Sequence, residues 1–113
     1  MEEISVAGSL EGSFVFDGIN YDSGQLNLDY LESVKDHGRE FGIYKIILWL
    51  HDKNGKNWGV IPYRRDVLSN QAEKLHGELL GAVKEKLPEI KCHEDFNDVI
   101  DSFLFNRHHG EGD

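Results

Sequence analysis

Two adjacent residue pairs in this chain have the side-chain types used in acid–base or nucleophilic chemistry: His51 with Asp52, and Cys92 with His93. Neighbouring residues on a β-strand point to opposite faces, so His51 and Asp52 would pair only across a bulge. A nucleophile and its base usually meet through the fold rather than through adjacency, so Cys92 beside His93 does not predict catalysis. We therefore assign no catalytic residue, and whether Cys92 is a reactive thiol stays open.

The chain has none of the common metal-binding patterns, such as His-Glu-x-x-His, paired cysteines or an EF-hand loop. His108 and His109, followed by Glu111 and Asp113, could chelate an ion only loosely. The two Gly-x-x-x-Gly segments, 8–12 and 77–81, lack the Lys-Ser or Lys-Thr that completes a phosphate loop. We therefore expect neither a metal site nor a cofactor.

The concentrated basic feature of the chain is Tyr63-Arg64-Arg65, which precedes a predicted helix start at Asp66. Two guanidinium groups beside free backbone N–H groups could hold a phosphate or a carboxylate, with His51 as an acid or base. The alternative is intramolecular. In a chain with so many carboxylates, Arg64 and Arg65 would neutralise the chain's own acidic strands or its last helix.

An acidic row is predicted on the last helix, where Glu94, Asp98 and Asp101 recur at helical spacing. Such a row can steer and match a basic protein partner, with aromatic side chains such as Trp58 or Tyr63 as anchors. A solvated helix face is the alternative explanation. The row therefore gives candidate partner-binding residues without naming the partner.

The overall charge narrows the classes of partner. The 113 residues include 12 Lys or Arg and 21 Asp or Glu, a formal charge of -9. This balance disfavours direct binding to nucleic acid, because phosphate binders carry excess cations. A single cysteine and the lack of any long apolar run predict a cytoplasmic protein with no membrane segment. The length predicts one domain, 1–107, with a flexible tail, 108–113.

The first half of the chain has the alternating pattern and glycine punctuation of β-strands. It predicts three or four short strands over the first thirty residues, with turns near Gly8–Gly12, at Asp17-Gly18 and at 22–24. Asp29 with Glu32 resembles a capping box and predicts a short helix that ends at Gly38. An Asn-Gly turn between two β-branched, aromatic runs predicts a hairpin over 43–63, with Pro62 ending the return strand or lying on a sheet edge.

The second half has helical periodicity. Leucines, alanines and valines at 3.6-residue spacing predict an amphipathic helix from Asp66 to Leu87, which Pro88 stops. A final helix would bury Phe96, Ile100 and their neighbours. We therefore predict an α+β fold, a mainly antiparallel sheet of five or six short strands with both C-terminal helices on one face.

Two function classes follow from size, charge and the lack of catalytic motifs. The first is a non-enzymatic protein-binding domain, an acidic inhibitor or immunity-type protein that engages a basic, nucleic-acid-binding type of partner. The second is a small enzyme or ligand-binding domain that recognises an anionic group through Arg64 and Arg65. A homo-oligomeric structural subunit is a third possibility, which the sequence neither supports nor contradicts.

Overall fold

Four antiparallel strands followed by two helices build the molecule, in a computed structural model that describes residues 5–52 and 54–110, the last three by backbone alone. The strands lie in chain order, β1-β2-β3-β4, in a single sheet. Their bounds are β1 Val6–Phe16, β2 Ile19–Asp36, β3 Arg39–His51 and β4 Trp58–Ser69. The helices are α1 Ala72–Lys86 and α2 His93–Gly110, separated by a short 3-10 helix, Leu87–Glu89. The predicted α+β class is confirmed, with four long strands instead of five or six short ones.

Two tight turns connect the first three strands. Asp17 and Gly18 have φ of 50° and 78°, and His37 and Gly38 have φ of 51° and 79°. Positive φ at both central residues is the type I′ geometry that matches the twist of paired strands. The predicted Asp17-Gly18 turn is confirmed. The predicted helix from Asp29 to Gly38 is wrong, because this segment belongs to β2 and pairs with β3 as far as Asp36 with Arg39.

The predicted turns near Gly12 and at 22–24 are also wrong. Gly12 lies at a bulge inside β1, where two residues, Gly12 and Ser13, face the single residue Asp22 of β2. Gly24 lies within β2, where a Cβ atom would be 2.7 Å from the Trp49 carbonyl oxygen. Its small size therefore permits close packing of the strands rather than a reversal of the chain.

The predicted hairpin is confirmed, as β3 and β4 are joined by a turn that Asp52 organises. The Asp52 carboxylate accepts hydrogen bonds from the Lys56 backbone N–H at 2.9 Å and from the Asn57 side chain at 3.0 Å. Pro62 lies within β4, which is an edge strand as Pro62 requires. Because β4 continues to Ser69, α1 begins at Ala72, and the predicted helix start at Asp66 is wrong.

The hydrophobic core lies between one face of the sheet and the two helices. Alternate residues of every strand point into it, and the two central strands contribute the fully buried side chains of Leu26, Leu28, Ile46 and Leu48. The helices contribute Leu75, Leu79, Val83, Leu87, Phe96 and Ile100. No described element covers the opposite face of the sheet.

The packing of α1 on the sheet depends on a close approach to β1. His76 of α1 is buried, and its Nε2 atom lies 2.9 Å from the Leu26 carbonyl oxygen. A Cβ atom at Gly8 would lie 2.8 Å from both His76 Cε1 and Leu80 Cδ2, so only glycine allows this spacing. By contrast, a Cβ at Gly77 or Gly81 would meet no neighbouring element within 4 Å.

The C-terminal part follows the predicted pattern. The 3-10 turn containing Pro88 ends α1, and Phe96 and Ile100 of α2 are fully buried. The backbone of 108–110 continues α2, while 111–113 lie outside the described residues, so the flexible tail stays a prediction. Within the described chain, neither helix is long and apolar enough to cross a membrane.

Candidate functional site

A groove of about 680 Å³ lies between α1 and α2. The described residues that line it belong to the two helices and to the 3-10 helix between them. Its apolar lining comes from Ala82, Val99 and Phe103, which are partly buried and so form its base. Exposed carboxylates surround this base. They belong to Glu78, Glu85, Glu89 and Asp98.

The groove also contains two cations, and both are paired with groove carboxylates. Arg107 Nη1 forms an ion pair with Glu78, and Lys86 Nζ lies 3.6 Å from Glu89 Oε2. Glu85 and Asp98 have no ion-pair partner among the described residues. The described lining of the groove therefore has a net negative charge, which Glu85 and Asp98 carry.

The three residues of the predicted acidic row, Glu94, Asp98 and Asp101, do not share one surface of the molecule. Asp98 lines the groove, and Glu94 is exposed in the first turn of the helix. Asp101 instead faces β4, where it accepts hydrogen bonds from Tyr63 and from the guanidinium groups of Arg64 and Arg65. Asp101 is therefore already neutralised within the molecule.

The arginine pair lies on a bulge of β4, where three residues, Tyr63, Arg64 and Arg65, face the single residue Ile46 of β3. The bulge leaves the Arg64 backbone N–H without a strand partner, and the Asn97 side chain of α2 accepts it at 2.9 Å. Arg65 Nη2 donates to Asp101 Oδ1 at 2.7 Å and to the Tyr63 hydroxyl at 3.1 Å. This arrangement matches the intramolecular alternative, in which the arginines neutralise the last helix.

The pKa values in this cluster reflect its hydrogen bonds. Burial by itself would raise the pKa of Asp101, but hydrogen bonds from Tyr63 and Arg65 and the charges of both arginines outweigh it and lower that pKa. Burial raises the pKa of Tyr63, and the hydrogen bond that its hydroxyl donates to Asp101 adds to this rise. Asp101 is thus ionised and Tyr63 neutral at neutral pH.

Tyr63 is 0% exposed, so it is not available as a surface anchor for a partner. Trp58 is exposed, but it lies beside His51 on the sheet face opposite the helices, with ring centroids 5.7 Å apart. The structure therefore does not bring Trp58 and the acidic residues of α2 into one surface.

His51 is also far from the arginine pair. It pairs with Trp58 at the turn end of the hairpin, roughly six residues or 20 Å along β4 from Arg64. Its Nδ1 atom lies 2.8 Å from the Ser23 hydroxyl on β2. His51, Arg64 and Arg65 therefore do not form one anion site, and the predicted helix N-terminus beside the arginines is absent because β4 continues to Ser69.

The two adjacent pairs, His51 with Asp52 and Cys92 with His93, do not act as pairs in the structure, because the members of each have different surroundings. The Asp52 carboxylate binds turn amides, and the Lys56 N–H foremost among them lowers its pKa, while His51 faces Ser23. Cys92 is half-buried just before α2, and the His93 ring packs edge-on against Phe16. Over the residues described, no three His, Cys, Asp or Glu side chains are placed to hold a metal ion. The side chains of His108 and His109 are not among those that the structure describes, so the loose chelation suggested for them stays a prediction.

Sequence reasoning missed the α1 side of the groove. Glu78 and Glu85 are seven residues apart, which places them on one helix face, and this spacing was a usable signal. What the spacing could not reveal is that this face borders Asp98 of α2. The Ser23–His51 contact had no sequence signal, because it depends on the register of β2 with β3.

No family model matches the chain, and comparisons with curated proteins and with solved structures likewise find no match.

Proposed function

We propose that this protein is a non-enzymatic binding domain that holds a basic segment of a protein partner in the groove between α1 and α2. The observation that supports this proposal is the combination of an apolar base with two carboxylates at its margin, Glu85 and Asp98, which have no ion-pair partner in the described part of the chain. Apolar burial supplies affinity, and the carboxylates select a cationic partner.

The shape of the groove favours an amphipathic helix as the bound segment. The side formed by α1 and the 3-10 helix extends from Glu78 to Glu89, which is about 16 Å at the helical rise per residue. A partner helix of roughly three turns would match this length, with its apolar face on Val99 and Phe103 and its Lys or Arg side chains near Glu85 and Asp98. The charge of -9 would speed association with such a partner at low salt.

A direct test uses a synthetic amphipathic Lys/Leu helix of about 18 residues as the probe, because a helix of that length exceeds the groove. Its affinity is measured by fluorescence anisotropy, first at low and then at high salt. We expect the double variant Glu85→Lys with Asp98→Lys to weaken binding by roughly tenfold or more, since attraction at both carboxylates becomes repulsion.

A matched control separates the groove from the general charge of the protein. Glu32→Lys with Glu73→Lys changes the net charge by the same amount at exposed positions outside the groove. We expect the control variant to lose no more than about threefold in affinity, because screening weakens distant charges. Equal losses in the two double variants would reject the groove as the binding site.

The natural partner is then sought by affinity capture with the wild-type protein and with the Glu85→Lys, Asp98→Lys variant. A basic protein retained at low salt by the wild type, released at high salt and absent from the variant would be the expected target of an inhibitor or immunity-type protein. Identical capture by both proteins would count against this site.

A further inference from the structure

The open face of the sheet has an apolar stripe along its last two strands. The stripe consists of alternate residues that point away from the core. They are Ile43, Ile47 and Trp49 of β3 with Trp58, Val60 and Leu68 of β4. Trp58, Val60 and Leu68 are 66%, 44% and 60% exposed. An open face of an antiparallel sheet usually carries polar side chains, as β2 does here with Gln25 and Asn27.

The stripe is locally neutral although the chain is strongly acidic. Its charged pair is Lys45 on β3 and Asp66 on β4, directly opposite each other in the register, with Lys45 Nζ 3.8 Å from Asp66 Oδ1. Asp29 of β2 lies opposite Lys45 on the same face but outside the stripe. Two copies of the protein can therefore approach through the stripe with less repulsion than a charge of -9 would cause elsewhere.

We propose that this stripe is a homodimer interface, in which two copies pack face to face about a two-fold axis that runs parallel to the strands between β3 and β4. Two sheets that pack in this way lie about 10 Å apart. A two-fold axis brings each patch against the same patch of the other copy, so the surface must be self-complementary.

The register of β3 with β4 provides that complementarity. Rotation about the proposed axis places β3 of one copy over β4 of the other, and every cross-strand pair is repeated across the interface. Lys45 then lies over the partner's Asp66, and Trp49 lies over the partner's Val60. The charged pair and the apolar pairs are satisfied together, which favours a second copy over an unrelated partner.

The area of the stripe predicts a weak dimer. Two strands of about nine residues cover roughly 30 Å by 10 Å. This gives a flat area of about 300 Å² per copy, without the extra surface of the protruding side chains. This is below the area of about 800 Å² per partner in stable complexes. We therefore expect a dissociation constant on the order of 100 μM, and dimers at high protein concentration.

The first experiment measures self-association by sedimentation equilibrium from about 5 μM to about 1 mM, a range that spans the expected dissociation constant. We expect the wild-type mass to rise toward that of a dimer and Val60→Lys to remain monomeric. Ile19→Lys is the matched control, since Ile19 is 40% exposed and lies outside the stripe. A monomeric wild type at the highest concentration would overturn the proposal.

The second experiment tests the contact between Lys45 and the partner's Asp66 by mixing two variants. Alone, Lys45→Glu places two carboxylates at each such contact, and Asp66→Lys alone places two ammonium groups there, so each variant should dimerise at least several-fold more weakly than the wild type. In a mixture of the two, opposite charges face each other at both contacts, and the heterodimer should form preferentially.

Circular dichroism and thermal melts confirm that each variant is folded before its mass is compared. Preferential pairing in the mixture supports the proposed axis, because no contact within one copy can produce it. If the mixed variants show no preference over each variant alone, the interface is not the one proposed, even if the wild type self-associates.

Discussion

The Asp101 carboxylate connects the C-terminal helix to the edge strand at the scale of single residues. It accepts hydrogen bonds from Tyr63, Arg64 and Arg65, and its side chain is 28% exposed. The Asn97 side chain supports the same junction from α2, accepting from the Arg64 backbone and donating to the His93 carbonyl oxygen. The bulge of β4 is thus joined to the helix by polar side chains, one of which accepts the Arg64 backbone N–H that the bulge leaves without a strand partner.

Replacement of this carboxylate should destabilise the fold. We expect Asp101→Asn to lower the free energy of unfolding by about 1–2 kcal/mol, because it weakens charged hydrogen bonds that solvent partly screens. Urea denaturation measures the change. Asp98→Asn is the control, expected to cost less than about 0.5 kcal/mol, since this groove carboxylate has no ion-pair partner among the described residues.

The same pair of proteins tests the pH dependence. The pKa of Asp101 is lowered in the folded state, so its ionised form stabilises the fold fully above the ordinary value of 3.8 and this contribution is lost as the pH falls through the folded pKa. The stability gap between wild type and Asp101→Asn should therefore shrink below about pH 4. A gap that stays constant down to acid unfolding would show that the carboxylate charge is not responsible.

At the scale of elements, glycines mark where the helices touch the sheet and where they do not. Gly8 of β1 faces His76 and Leu80 of α1 at a distance too short for a Cβ atom. Gly77 and Gly81 have space around them, so they do not permit a close helix approach. Their presence in α1 therefore only reduces helix stability.

Alanine substitutions at these positions should have opposite effects. We expect Gly77→Ala and Gly81→Ala each to raise the free energy of unfolding by about 0.5–1 kcal/mol, the usual helix preference for alanine. Gly8→Ala should lower it by about 1–3 kcal/mol, because the added methyl group overpacks the contact with α1. Thermal and urea denaturation measure the change in the free energy of unfolding for the three variants. A stabilised Gly8→Ala protein would contradict the described packing.

At the scale of the whole molecule, the two candidate interfaces lie on opposite sides. The acidic groove is formed by the helices, whereas the neutral apolar stripe is on the sheet face away from them. A dimer built through the stripe would leave both grooves open to partners. Binding of one surface should therefore not obstruct the other, and each copy keeps its own site.

This separation predicts independent effects. We expect Val60→Lys to change the affinity for the Lys/Leu helix by less than about twofold, since Val60 lies on the sheet face away from the groove and salt screens the added charge over that distance. In the same way, Glu85→Lys with Asp98→Lys should leave self-association unchanged in sedimentation. Loss of peptide binding in the folded Val60→Lys protein would mean that the stripe, and not the groove, holds the basic helix.

The sequence by itself determined the features that arise from local patterns. The Asn-Gly hairpin, the Asp17-Gly18 turn, the stop at Pro88 and the buried face of α2 were predictable, because turn geometry and helical periodicity act over a few residues. The acidic character and the lack of catalytic motifs were also evident from composition and spacing.

Only the tertiary structure decided which patterns prevailed and which side chains met. The helical spacing after Asp29 gave way to pairing with β3, because a full ladder of hydrogen bonds outweighs a weak local preference. The packing of α2 against β4 brought Asp101 of the acidic row to the arginines, and the packing of α1 against α2 placed Glu85 and Asp98 in the lining of one groove. These outcomes depend on contacts between residues distant in the chain, for which one sequence has no local signal.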